Sequence, residues 1–97
     1  MASLEEHRAD CVEQLGEPFT QVHQWLDELQ ADYGPMHRPF RHQTEGVERV
    51  RSRWGDRAAS AAEIHIRRDC GGVIPTPDEI RRHWGIRIED IEPIDPD

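Results

Sequence analysis

The 97-residue sequence predicts a small protein of the mainly α class: a single-domain bundle of four to five helices with an irregular acidic C-terminal tail. Three observations support this prediction. Apolar residues recur every three or four positions in several segments, those segments start at helix-capping residues, and they stop at glycine. We expect the helical domain to cover residues 1–87 and the tail to cover residues 88–97.

The first helix is predicted over residues 4–15. Ser3 can cap its amino end with Glu6 as the capping-box partner, and Gly16 would end it. His7, near the start of this acidic helix, is expected on the surface.

The second helix has the most regular pattern. Pro18 suits its first turn, and Gly34-Pro35 would stop it. Between them, one buried stripe is predicted from apolar residues at helical spacing: Val22, Trp25, Leu26, Leu29 and Tyr33.

The third helix is predicted to begin near Pro39, whose fixed φ suits a first turn, and to end before Gly55. The residues that can then face inward are Phe40, Val47, Val50 and Trp54.

The fourth helix is expected from Arg57 to about Asp69, with Asp56 as its cap, because its four alanines favour helix. Its Ile64-His65-Ile66 segment alternates as a strand does, which leaves the end of the helix open. Small side chains along it would let a neighbouring helix approach closely.

The last helix has the clearest start. Thr76-Pro77-Asp78-Glu79 combines a cap, a proline at the first helical position and an acid at the third. We expect a short helix through His83 or Trp84, closed by Gly85. The acidic, proline-containing tail that follows should lie on the surface or be partly disordered.

The formal net charge of -8 is unevenly distributed. Residues 1–33 hold eight acids and one arginine, residues 34–87 hold seven acids and eleven arginines, and residues 88–97 hold five acids and no base. Acidic ends around a basic middle argue against direct nucleic-acid binding. Because no apolar window suits a membrane span and no signal-peptide pattern is present, we expect a cytoplasmic protein in which Cys11 and Cys70 are free thiols.

Histidines and carboxylates recur at intervals that place two ligands on one helix face. His23 and Asp27 are four residues apart, as are His65 and Asp69, and His42 and Glu45 are three apart. Helical bundles bind metals in their interior through such pairs, and imidazoles with carboxylates suit Zn, Fe, Ni or Mn. The predicted metal site, with zinc favoured and with Asp69 as an alternative carboxylate, comprises His23, Asp27, His37, His42 and His65.

Two alternatives stay open for these residues. The first is an ion-free network in which His23 and His65 bond to Asp27 and Asp69. The second is catalysis: no serine or cysteine nucleophile has a recognisable motif, so any activity would be metal-dependent hydrolysis by an activated water, with Glu45 or Glu63 as the base.

The chain resembles a family of small bacterial and phage proteins that have no assigned function. The resemblance covers about residues 19–84. Its pattern reads HQW, then HRxxRH, then ExHI, and the residues that carry it are His23-Gln24-Trp25, Asp27, His37-Arg38, Arg41-His42, Gly46-Val47, Glu63, His65-Ile66, Asp69 and Gly72-x-Ile74-Pro75. The resemblance implies a shared polar site but supplies no reaction.

Two classes of function are therefore predicted. The first is a helical protein holding one transition metal, with zinc favoured, for stability or for a hydrolytic step. The alternative is an acidic interaction module with a basic protein partner, such as a phage-encoded inhibitor of a nucleic-acid-binding host protein, because its acidic segments could mimic a phosphate backbone.

Overall fold

The computed structural model describes residues 3–29 and 41–85 of the chain. Within these ranges the secondary structure is entirely helical, which confirms the predicted mainly α class. The helices are α1 (Leu4–Leu15), α2 (Thr20–Asp27), α3 (Thr44–Trp54), α4 (Asp56–Asp69) and α5 (Pro77–Trp84).

Helix α4 lies at the centre of the packing, where it contacts α1, α2 and α3. Its four alanines are buried, so small side chains do line these contacts, as predicted. The other buried residues of the main apolar cluster are Cys11, Val22, Trp25, Leu26, Val47, Val50 and Ile66. A fully buried leucine or isoleucine contributes about 1.5–3 kcal/mol and an alanine much less, so this core provides modest stabilisation for its size.

The predicted helix starts at α1 and α5 are confirmed. Ser3 and Glu6 form a reciprocal capping box on α1, and Thr76 and Glu79 form another on α5, where Pro77 is the first helical residue. Each cap satisfies backbone N–H groups that the helix leaves unpaired, which is typically worth about 1 kcal/mol.

Helix α2 is shorter than predicted at its amino end. It begins at Thr20 because Phe19, with φ at 51°, adopts a left-handed conformation and serves as the N-cap. The N–H of Val22 bonds to the Phe19 carbonyl, whereas the carbonyl of Pro18 lies 2.9 Å from a ring nitrogen of His23. Pro18 therefore precedes the helix instead of forming its first turn.

Helix α2 also ends early, at Asp27. The carbonyl of Trp25 accepts from the backbone N–H of Glu28 at 3.3 Å and from Nη1 of Arg41 at 2.6 Å. In a continuing helix the same carbonyl would accept from the N–H of Leu29. Val22, Trp25 and Leu26 are buried as predicted, while Leu29 is half-buried beyond the helix and Tyr33 lies outside the described residues.

The prediction of one helix from Pro39 to Trp54 is wrong, because α3 begins only at Thr44. Gln43 is its N-cap, with extended backbone angles, and its side-chain oxygen accepts from the N–H groups of Glu45 and Gly46. Pro39 itself lies outside the described residues.

Helix α4 begins one residue earlier than predicted, because Asp56 is its first residue and not its cap. The Asp56 carboxylate instead lies 3.0 Å from Arg51. The helix continues through the alternating Ile64-His65-Ile66 segment to Asp69, as the alanines suggested. The acidic tail after Gly85 lies outside the described residues.

Candidate metal centre

Four donor atoms from three parts of the chain meet in the interior. They are Oδ1 of Asp27 at the end of α2, Nε2 of His42 before α3, and Nε2 of His65 with Oδ2 of Asp69, one turn apart on α4. Nε2 of His65 lies 3.1 Å from Nε2 of His42 and 3.3 Å from each carboxylate oxygen. Nε2 of His42 lies 3.4 Å from the Asp27 oxygen and 3.3 Å from the Asp69 oxygen. We call these residues the four-donor cluster.

The spacing of the four-donor cluster suits four ligands around one ion. A regular tetrahedron with edges of about 3.3 Å has its centre about 2.0 Å from each corner, which is the length of a Zn–N or Zn–O bond. The edges given above are 3.1–3.4 Å, and the remaining one, between the two carboxylate oxygens, is at most 4.8 Å. At that upper limit the centre would be about 2.4 Å from the corners. The cluster is therefore close enough to hold one metal ion.

The cluster places two carboxylates in a site that is almost closed to water. The side chains of His42, His65 and Asp69 are fully buried, and that of Asp27 is 21% exposed. Burial alone would raise the pKa of each carboxyl. Hydrogen bonds from His42 and His65 lower it by more, so the pKa values of both carboxyls lie below the ordinary value. Two ionised carboxylates in this position need positive charge close by.

Two imidazolium rings would balance both carboxylates, but their Nε2 atoms lie 3.1 Å apart, where two N–H groups cannot bond to each other. Each Nε2 carries at most one hydrogen, so His42 and His65 can place two hydrogens among four donor atoms that face one another. Burial lowers the pKa of His65, but its bonds to Asp27 and Asp69 raise it above the ordinary value, so the carboxylates attract a cation to this point. A divalent ion would accept a lone pair from all four atoms and balance both carboxylates.

The position of His42 depends on its neighbours in sequence. The guanidinium of Arg41 donates to the Trp25 carbonyl and lies 4.2 Å above the centre of the Trp25 ring, while Gln43 caps α3. Gly46 permits this tight turn, because a Cβ atom there would lie 1.9 Å from the carbonyl oxygen of Arg41. Contacts on both sides thus orient His42 toward α4.

His23 was predicted as a metal ligand, and the structure places it beside the four-donor cluster. Its Nδ1 lies 2.9 Å from Nδ1 of His65, and its Nε2 lies 2.9 Å from the carbonyl oxygen of Pro18. Both nitrogens thus face these partners and not Asp27, its expected partner in the ion-free network. Burial, together with the nearby His65 and His7, lowers the pKa of His23 to about 4.

His7 is fully buried, so the prediction that it lies on the surface is wrong. Its ring stacks on that of His65, with centroids 3.5 Å apart. Its Nε2 lies 3.4 Å from Oδ1 of Asp69, whereas the other oxygen, Oδ2, belongs to the four-donor cluster. The available signal was spacing: His7, Cys11 and Leu15 share one face of α1, and that face packs on α2 and α4.

A second group of three buried histidines has the proximity of a metal site but not the geometry. His7 and His65 are nearly parallel, at 10°, so their in-plane lone pairs lie in separate planes and do not converge. The ring centroids of His23 and His65 are 5.1 Å apart, and their Nδ1 atoms are 2.9 Å apart. The centroid distance exceeds the Nδ1 distance by about two ring radii, as expected when both Nδ1 atoms lie on the line between the two rings. These two nitrogens therefore face each other along one line, as in a hydrogen bond.

The remaining predicted residues are placed as follows. His37 lies outside the described residues, and His83 is exposed on α5. The His65–Asp69 pair is formed on α4, as the four-residue spacing predicted. Among the described residues, neither Glu45 nor Glu63 belongs to a group of possible metal ligands.

None of the helices in the described ranges is long and apolar enough to cross a bilayer. No family model, curated protein or solved structure matches this chain. The resemblance to a bacterial and phage family therefore stays a prediction, and the four-donor cluster is the feature from which a function can be argued.

Proposed function

We propose that this protein is a zinc-stabilised helical protein, with one Zn²⁺ ion bound by Asp27, His42, His65 and Asp69. The observation that carries the proposal is the convergence of four donor atoms at separations that fit a tetrahedral ion. These atoms come from three parts of the chain, and helical spacing accounts only for the pairing of His65 with Asp69.

The choice of zinc follows from the donor types and the coordination number. Two imidazole nitrogens and two carboxylate oxygens form a tetrahedral N₂O₂ set, and four protein ligands without an open position are typical of structural zinc sites. Magnesium and calcium prefer all-oxygen sites with six or more ligands. A hydrolytic role would need an open coordination position, so we assign the ion to stability.

A structural ion suits this chain because its apolar core is small. The ion would join the end of α2, the residues preceding α3, and the last turn of α4. It would also neutralise two carboxylates that otherwise oppose burial. Binding free energy would then add directly to the free energy of unfolding.

The first experiment is elemental analysis of protein purified without a histidine tag, followed by zinc titration of the chelator-treated protein. We expect one zinc ion per chain, and a melting temperature that falls on chelation and recovers on adding zinc. His42→Ala should lose stoichiometric binding, whereas His83→Ala, which removes an exposed histidine, should bind as the wild type does.

An ion-free network gives a different outcome. Wild-type protein that binds no zinc, and whose melting temperature is the same with chelator and with zinc, would reject the proposal. A Co²⁺-loaded sample tests the geometry, because four-coordinate tetrahedral Co²⁺ absorbs visible light far more strongly than six-coordinate Co²⁺.

Binding of a basic protein partner stays a prediction. Some of the acidic groups that motivated it already have arginine partners within the chain: Arg68 contacts Glu6 and Asp10, and Arg57 contacts Glu17. These intramolecular pairs reduce the negative charge that α1 and the segment after it present to a partner.

A further inference from the structure

We propose that His23 is a positioning residue for the zinc ligand His65, acting through a hydrogen-bond chain. The chain runs from Nδ1–H of His65 to Nδ1 of His23, and from Nε2–H of His23 to the carbonyl oxygen of Pro18. The inference rests on the proposed function, because it assigns Nε2 of His65 to the ion.

The chemistry of the donor atoms fixes the direction of this chain. If Nε2 of His65 gives its lone pair to an ion, the hydrogen of the neutral ring must lie on Nδ1. Nδ1 of His23, 2.9 Å away and facing it directly, must then accept that hydrogen. A neutral His23 that accepts at Nδ1 carries its own hydrogen on Nε2, which lies 2.9 Å from the Pro18 carbonyl, a group that can only accept.

Each ring nitrogen of His23 and His65 thereby has one partner of the correct kind. His23 is fully buried, and both of its nitrogens lie 2.9 Å from these partners. The Pro18 carbonyl requires the same direction independently, because it places the hydrogen of a neutral His23 on Nε2 and leaves Nδ1 as an acceptor.

The backbone before α2 is arranged so that the Pro18 carbonyl can take part. The N–H groups of Val22 and His23 bond to the carbonyl of Phe19 and not to that of Pro18. Phe19 has a left-handed conformation, with φ at 51°, which is uncommon for a bulky residue and costs free energy. The strained turn at Phe19 therefore leaves the Pro18 carbonyl facing Nε2 of His23, the last donor of the hydrogen-bond chain.

Partners of this kind hold a metal-binding histidine in one tautomer and one orientation. Ligand histidines commonly donate their second N–H to a fixed acceptor, and loss of that acceptor typically weakens metal binding by about 10- to 100-fold. Here the acceptor is itself an imidazole, fixed in turn by a backbone carbonyl.

Two substitutions of His23 separate positioning from packing. His23→Leu keeps an apolar side chain in the core but removes the acceptor. His23→Asn has less bulk, but its side-chain oxygen can occupy the place of Nδ1 and accept from His65. We expect His23→Leu to weaken zinc binding by about 10- to 100-fold, and His23→Asn to recover most of the affinity even if its metal-free form melts lower.

A purely structural role for His23 predicts the opposite order, because leucine packs better than asparagine in an apolar core. Competition titration with a zinc-binding dye measures both affinities, with His83→Leu as the surface control. If His23→Leu binds zinc as tightly as the wild type, the positioning role is rejected while the proposed zinc site stands. If the wild type binds no zinc, both proposals fail.

A second measurement needs no variant. In the zinc-loaded wild type with ¹⁵N-labelled histidine, NMR correlations between ring nitrogens and carbon-bound protons identify the nitrogen that carries hydrogen. We expect hydrogen on Nδ1 of His65 and on Nε2 of His23. Hydrogen on Nδ1 of His23, or zinc on Nδ1 of His65, would overturn the inference even if a variant failed to fold.

Discussion

At the scale of single residues, the four-donor cluster depends on side chains that do not belong to it. Arg41 illustrates this: it holds the turn before His42 by donating to the Trp25 carbonyl and by lying against the Trp25 ring. The charge of Arg41 is partly opposed by Glu28, 3.8 Å away. The sequence shows Arg41 and His42 as neighbours, but it does not show that the first orients the second.

The substitution Gly46→Ala tests this turn. Alanine is normally better than glycine inside a helix by about 1 kcal/mol, but here its Cβ would collide with the Arg41 carbonyl. Because backbone atoms must shift, we expect a net loss of about 1–3 kcal/mol in the free energy of unfolding, together with weaker zinc binding as His42 moves.

Urea unfolding with and without zinc measures both effects. Ser52→Ala, at an exposed position of the same helix, is the control and should change neither quantity appreciably. An alanine at position 46 that stabilises the protein would show that the turn can relax without displacing His42.

At the scale of helices, the N-caps of α3 and α5 differ in their distance along the chain from the four-donor cluster. Gln43 caps α3 directly after His42, whereas Thr76 caps α5, which contributes no residue to the four-donor cluster. Both caps satisfy N–H groups of a first turn. Only the first lies next to a residue of the four-donor cluster.

The substitutions Gln43→Ala and Thr76→Ala separate these two roles. Each should lower the free energy of unfolding by about 0.5–2 kcal/mol, the usual cost of losing a cap. Only Gln43→Ala should also weaken zinc binding, because His42 loses its fixed position relative to α4. Calorimetric zinc titration of both variants, alongside urea unfolding, makes the comparison; equal zinc affinities would argue that the Gln43 cap does not position His42.

At the scale of the whole molecule, the ion and the apolar core are expected to unfold together. Cys11 is fully buried, and its pKa is raised to about 11 by burial and by the charge of Asp10. At pH 8, roughly one such thiol in a thousand is ionised, so Cys11 should react with thiol reagents mainly through opened states of the protein.

We therefore expect zinc to slow the labelling of Cys11. In a Cys70→Ser background, where Cys11 is the remaining thiol, free zinc at about 100-fold above its dissociation constant should add about 2.7 kcal/mol of stability. If labelling proceeds through global opening, its rate should fall by about 100-fold. The readout is the labelling rate as a function of free zinc; a rate that does not respond to zinc, in protein that demonstrably binds it, would show that Cys11 is exposed by local opening alone.

The helical class, the two capping boxes and the burial of one face of α2 follow from the sequence, because each depends on residues within a few positions of one another. The His65–Asp69 pair was predictable for the same reason. The two ends of α2 were predicted less well. The Trp25 carbonyl at its carboxyl end accepts from both Glu28 N–H and Arg41, and the Pro18 carbonyl before its start faces a ring nitrogen of His23.

Tertiary packing decided which other donor atoms join the His65–Asp69 pair. Spacing within α2 paired His23 with Asp27, but packing against α4 turns His23 toward Nδ1 of His65 and leaves Asp27 beside His42. It also buried His7, whose acidic surroundings in sequence suggested the surface. The physical reason is that periodicity determines which side chains share a helix face, whereas the convergence of four atoms on one point depends on how separate helices are placed against each other.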